Sequence, residues 1–194
     1  MKTCELMISN TTVLMPDMTL QPDMAIAIQG GQIAAIEQSS ELERAYQSQI
    51  RLDGRGKIAV PGFVDAHTHT CQQLLRGRIM DEPPMIWARI LVPYESNLEP
   101  EDVYWSAKLC CVEMLKAGIT TFADAGGRHM DQVARAVEEM GLRACLSRST
   151  MDSAEFVPAN MKDSTSEAIA KTEELYKEWH GRANGRIHVW FALR

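Results

Sequence analysis

The chain has 194 residues and the composition of an ordinary globular protein, 45% hydrophobic and 24% charged, enough for one domain or one domain with a smaller appendage. A net charge of −6 offers no electrostatic basis for binding nucleic acid or an anionic membrane. The five cysteines (Cys4, Cys71, Cys110, Cys111, Cys145) lack CxxC spacing, and no apolar stretch suits a signal peptide or a bilayer span, so the expectation is a cytoplasmic protein with reduced, mostly buried thiols.

Residues 1–57 read as β-structure. "MAIAIQGGQIAAIEQ" holds two apolar runs around Gly30-Gly31, which supplies the positive φ values of a tight hairpin. "IRLDGRGKIAV" repeats that pattern around Asp53-Gly54 and predicts a second hairpin. From residue 58 strands alternate with helices, the signature of βα units on a parallel sheet. "KIAVPGFVDAHTH" is the first strand of that series. A helix follows near 100–117, with Pro100 in its first turn, Gly118 past its end and an apolar face of Val103, Ala107, Cys110 and Met114. "GITTFAD" (118–124) is the second strand. The next helix carries Met130, Val133, Val137 and Met140 on one face and stops at Gly141. "LRACLSRST" is the third strand, Ser164 and Glu167 form a capping box for a third helix ending near Gly181, and "RIHVWFALR" is the fourth strand.

Four parallel strands with three helices are half of an eight-stranded βα barrel, which typically needs about 250 residues. A four-stranded half exposes two parallel edges, so a chain continuing beyond Arg194 is expected in preference to an unusual open sheet. Residues 1–57 form the amino-terminal β segment and residues 58–194 the incomplete barrel.

The chemistry concentrates at the end of the first barrel strand. Side chains alternate along a strand, so His67 and His69 point to one side, with Asp65 further in on the same side. Two imidazoles at the carboxyl end of a parallel strand can share a metal, and that end is where barrel enzymes build their sites. The bland alternative is a pair of histidines that merely caps a strand.

"VPGFVDAHTH", together with "LLRGRIMDEPPMIWA", "EMLKAGITTFADAG" and "AVEEMGLRACLSRSTMD", resembles the metal-dependent amidohydrolase superfamily, in the branch of methylthioadenosine and S-adenosylhomocysteine deaminases and the related triazine chlorohydrolases. The resemblance covers essentially the whole chain. It implies the first half of a (β/α)8 TIM barrel preceded by a small β-sandwich segment, an α/β composite of the urease type. It also implies one divalent metal, zinc or alternatively iron, held by His67 and His69. In such enzymes a metal-activated hydroxide attacks the ring carbon bearing the amino group, a carboxylic acid protonates the ring nitrogen, and ammonia leaves.

The same resemblance places the remaining metal histidines, the acid–base glutamate and an aspartate on strands five, six and eight, so no catalytic residue is expected within this chain. It implies substrate contacts at Trp87 over an aromatic base, Glu95 on ribose hydroxyls and Arg148 on a carboxylate tail. Arg194 stands where the deaminase pattern ("GPHAPYTC") has a histidine, a change that suits an acidic or phosphorylated substrate and weakens an adenosine-type assignment. Asp124, at the end of strand two, is expected to orient neighbouring loops. His129 reads as a solvated loop residue or a substrate contact. His188 falls at the barrel bottom, roughly 20 Å from the catalytic end of its strand, and His180 in the last turn of a helix.

The leading expectation is a metal-dependent hydrolase of carbon–nitrogen bonds other than peptide bonds, deaminating a purine-type or other small heterocycle. Its rivals are a non-catalytic fragment or assembly half of a split barrel, a related hydrolase removing chloride or amine from a triazine-like ring, and a metal-binding module without chemistry. A homodimer or a complementary carboxyl-terminal half is the expected protein partner.

Overall fold

The computed structural model describes residues 1–153 and 156–193, without the side chain of Leu193. They fall into two compact units, Met1–Pro61 and Gly62 onward.

The first unit is one hydrogen-bonded sheet of five strands, β1 (Lys2–Leu14), β2 (Leu20–Gln29), β3 (Gln32–Gln38), β4 (Tyr46–Asp53) and β5 (Ile58–Ala59), with a short helix α1 (Ser39–Ala45). β2 and β3 pair antiparallel around Gly30-Gly31, both at positive φ, as the expected hairpin requires. Alternate residues of β2 serve two clusters: Ala25 and Ala27 pack with Leu42 of α1, while Met24 and Ile26 pack with Val13.

The second expected hairpin is not formed. β4 and β5 do not pair with each other; both run parallel to β1, Lys2 opposite Tyr46 and Thr12 opposite Ile58. The turn at Gly54, closed by the Lys57 amide on the Gly54 carbonyl at 2.9 Å, steps the chain along β1 without reversing it. Because β5 adds to this sheet, the units divide after Pro61, four residues later than the sequence pattern suggests, and "KIAVPGFVDAHTH" splits between two sheets.

The second unit carries a four-stranded parallel sheet in sequential order: β6 (Phe63–Thr68), β7 (Ile119–Asp124), β8 (Arg143–Thr150) and β9 (Ile187–Leu193). Between β6 and β7 lie a 3-10 turn (Thr70–Leu75), a π-helical turn (Trp87–Leu91), a short helix α2 (Val92–Ser96) and the long helix α3 (Pro100–Lys116). Helices α4 (Met130–Met140) and α5 (Thr165–Trp179) make the other two crossovers. This is the four-unit half of a (β/α)8 barrel, with helices on one face of the sheet.

The helices form where their signals lie. α3 begins at Pro100 inside a Glu99–Asp102 capping box and stops before Gly118, at φ +79°. α4 ends on Gly141 in the left-handed region, and Ser164 with Glu167 caps α5. Val103, Ala107, Cys110 and Met114 are all buried, in one core with Val133 and Val137 of α4, Phe122 of β7 and Leu146 of β8. Burial pushes the Cys110 thiol up to about 11 and Cys111 to about 12, so both behave as small hydrophobes. No cysteine forms a disulfide.

The opposite face of the sheet is open. Val64, Trp190 and Phe191 are 67%, 58% and 62% exposed there or along its edges. In a closed barrel, side chains from all eight strands fill that space.

Candidate metal centre

β6 ends within "DAHTHT" (65–70), at Thr68, and its pairing with β7 is irregular between Asp65 and Thr68. The irregularity breaks simple alternation. Asp65, expected beside His67, instead lines a groove with Cys110, Glu113 and Met114 of α3. His67 lines the inner concavity of about 210 Å³, whose floor is Ala66, Ala123, Cys145 and Ser147. His69 follows the last strand residue in extended conformation. The two imidazoles meet edge to face, ring centres 5.2 Å apart.

That spacing fits a shared metal. With zinc at about 2.0–2.1 Å from each nitrogen, tetrahedral geometry puts the ring centres about 5 Å apart. The Nδ1 of His69 lies 3.1 Å from the Gly126 carbonyl oxygen. A carbonyl only accepts, so Nδ1 carries the proton and a neutral ring keeps its lone pair on Nε2. Among the described residues no group of three or more His, Cys, Asp or Glu is placed to hold a metal. Two imidazoles are fewer than the three or four protein ligands that a zinc site uses.

Behind the pair sits Asp124, at the end of β7 and 3% exposed. Its Oδ1 accepts from the Gly126 amide (2.9 Å), and its Oδ2 from the Thr70 amide (3.2 Å) and hydroxyl (2.5 Å). Burial pushes this carboxyl above its ordinary range, while the Thr70 and Gly126 hydrogen bonds and the nearby His69 pull it back. The expectation that Asp124 orients neighbouring loops matches these bonds. Gly126 and Thr70 were not singled out from sequence; the only signal was their position, each two residues beyond a strand end.

The other expected site residues are dispersed. Trp87 packs edge to face on Phe156 at 5.5 Å, beside a small cluster of Val92, Met151, Val157 and Met161. Glu95 is fully buried and accepts a hydrogen bond from Gln72. Arg148 lies on the helix side of β8, ion-paired with Asp163 in a cleft with Lys171 and Glu174, whereas Ser147 faces the inner concavity. Arg148 is therefore not brought to the face that His67 lines. Arg194 lies outside the described residues.

His129 precedes α4 in the left-handed conformation and is half-buried, its buried Nε2 without a hydrogen-bond partner among the described residues. His180 stacks on Tyr176 and its Nδ1 accepts from the Val189 amide; His188 stands 5.1 Å from His180, at the amino end of β9 as expected.

Known proteins resemble this chain in sequence and fold. The 5-methylthioadenosine/S-adenosylhomocysteine deaminase of Pelotomaculum thermopropionicum is 40% identical over 170 residues, covering 87% of this chain and 37% of the relative. An adenosine deaminase from Xanthomonas campestris, solved with bound zinc, superposes with a TM-score of 0.87 at 27% identity, over 99% of this chain and 43% of that one. The zinc-complexed atrazine chlorohydrolase of Arthrobacter aurescens matches at 0.84 and 20% identity, over 97% and 46%, a likeness of fold. The chain thus spans less than half the length of these relatives. The model of the amidohydrolase family matches residues 58–194, and the chain belongs to that family.

Proposed function

We propose that this chain is the metal-binding, amino-terminal half of a hydrolytic deaminase acting on carbon–nitrogen bonds of a purine-type heterocycle. The observation that carries the reading is the His67–His69 pair, set 5.2 Å apart at the carboxyl end of β6 with the His69 lone pair directed by Gly126. Identity to a 5-methylthioadenosine/S-adenosylhomocysteine deaminase supports the substrate class, and zinc in the adenosine deaminase supports the metal.

His67 and His69 would hold the metal, which when bound supplies Lewis acidity and lowers the pKa of water. The small residues Ala66, Ala123 and Cys145 leave room beside His67 for a flat ring. Trp87, in the long segment after β6, packs on Phe156 and is not assigned to the ring. Glu95 and Arg148, one buried against Gln72 and the other paired with Asp163, support loops and are not assigned to substrate. We assign the further metal ligands and the acid–base carboxyl to elements beyond the four βα units, supplied by a complementary carboxyl-terminal half. No helix among the described residues is long and apolar enough to cross a membrane; five cysteines without CxxC spacing fit the cytoplasmic setting that we propose.

The test is zinc binding to the 194-residue chain by competition with a chromogenic chelator. One zinc is expected, with affinity falling at least about tenfold in His67→Ala and in His69→Ala. Binding unaffected by both substitutions would sink the reading.

A further inference from the structure

Asp124, Gly126, His69 and Thr70 close a circuit. The Gly126 amide donates to Asp124 Oδ1, and the carbonyl of the same glycine accepts from His69 Nδ1. Thr70, the residue after His69, returns to Asp124 Oδ2 through both its amide and its hydroxyl. His69 is thus held twice, by its ring and by the backbone that follows it.

The circuit is braced from two more elements. The Ser106 hydroxyl of α3 donates to the Thr70 carbonyl at 2.7 Å, and the Ser147 hydroxyl of β8 donates to the Asp124 carbonyl at 2.7 Å. Gly126 itself has φ +94°, and a Cβ there would stand 2.6 Å from the Ser149 nitrogen. Its carbonyl has little freedom to turn away from the imidazole.

The chemistry of the hub is specific. Three donors converge on one side chain, and only an acceptor-only group with two oxygens satisfies them all. An asparagine would set its NH2 against either the Gly126 amide or the Thr70 amide, leaving a buried donor unpaired.

We propose that Asp124 and Gly126 are positioning residues for His69: they fix its ring orientation and hold the proton on Nδ1, so that Nε2 is presented unprotonated on the side of His67. For its purpose this rests on the metal-centre reading; for its geometry it does not. Partners one step behind a metal-binding histidine set its tautomer and are typically worth about 10–100-fold in metal affinity.

The tautomer is read from the imidazole nitrogen NMR shifts of the metal-free 194-residue chain, above the histidine titration range. In the unsubstituted protein His69 is expected to carry its proton on Nδ1, a measurement that needs no variant. Asp124→Asn and Thr70→Val are expected to relax it towards the Nε2-protonated form and to weaken zinc binding about tenfold or more. His67→Ala weakens zinc binding and leaves the His69 tautomer as it was.

Three results overturn the proposal: an Nε2-protonated His69 in the unsubstituted chain, or an unchanged tautomer or an unchanged zinc affinity in an Asp124→Asn protein that folds. Should Asp124→Asn not fold, Thr70→Val and the unsubstituted tautomer decide. A fixed Nδ1 tautomer in a chain that binds no zinc would instead fell the metal reading and leave the positioning standing.

Discussion

At the scale of the residue, Glu139 shows how one exposed side chain joins two helices. Its Oε2 accepts from Lys108 and from the Tyr104 hydroxyl, both on α3 at 2.7 Å, and its Oε1 from Arg135 at 3.1 Å. The Lys108 and Tyr104 hydrogen bonds hold its carboxyl down to about 2, against an ordinary 4.5. A depressed carboxyl contributes stability in full above its unfolded value and loses it as pH falls through the folded one. Urea midpoints of the protein and of Glu139→Gln are therefore expected to differ near neutral pH and to converge between about 4.5 and about 2. A constant gap would show that the network does not couple to the proton. The nearness of His67 and His69 was legible in the sequence because two residues one apart at a strand end are neighbours in any register. The Gly126 carbonyl was not, because every residue carries a carbonyl and only the fold aims one. Arg148 was misplaced for a related reason: its position at a strand end was legible, but the side of β8 it faces depends on register.

At the scale of the element, local signals were dependable and long-range pairing was not. The caps of α3, α4 and α5 fall where proline, glycine and the Ser164–Glu167 pair put them, since each motif satisfies backbone groups within its own turn. Asp53-Gly54 misled because the turn residues are the same whether a chain reverses or steps along a third strand; only β1, some 45 residues earlier, decides. α1 was missed as well: its seven residues lie within a segment read throughout as β-structure. The α5 cap makes a clean test. Ser164→Ala removes the hydroxyl that accepts from the Glu167 amide and donates to its carboxylate. The expected cost is about 1 kcal/mol in urea denaturation, and a change near zero would mean that α5 frays at this end.

At the scale of the whole molecule, the parallel sheet has two interior strands and two edges. β7 and β8 are paired on both sides, while β6 and β9 each have one partner among the described residues. Hydrogen exchange on the 194-residue chain should find the amides of β7 and β8 the slowest of this sheet, with the outward-facing amides of β6 and β9 markedly faster. Equal protection across all four strands would mean that something covers the edges, a second copy of the chain being the simplest candidate. In the first unit β1 is an interior strand, lying between β2 on one side and β4 and β5 on the other. During synthesis β1 leaves the ribosome well before Ile58–Ala59, so half of its backbone waits unpaired while the hairpin of β2 and β3 can already form. One edge of this thirteen-residue strand is thus completed only by residues 46–53 and 58–59, and until they emerge it presents an unpaired row of backbone donors and acceptors.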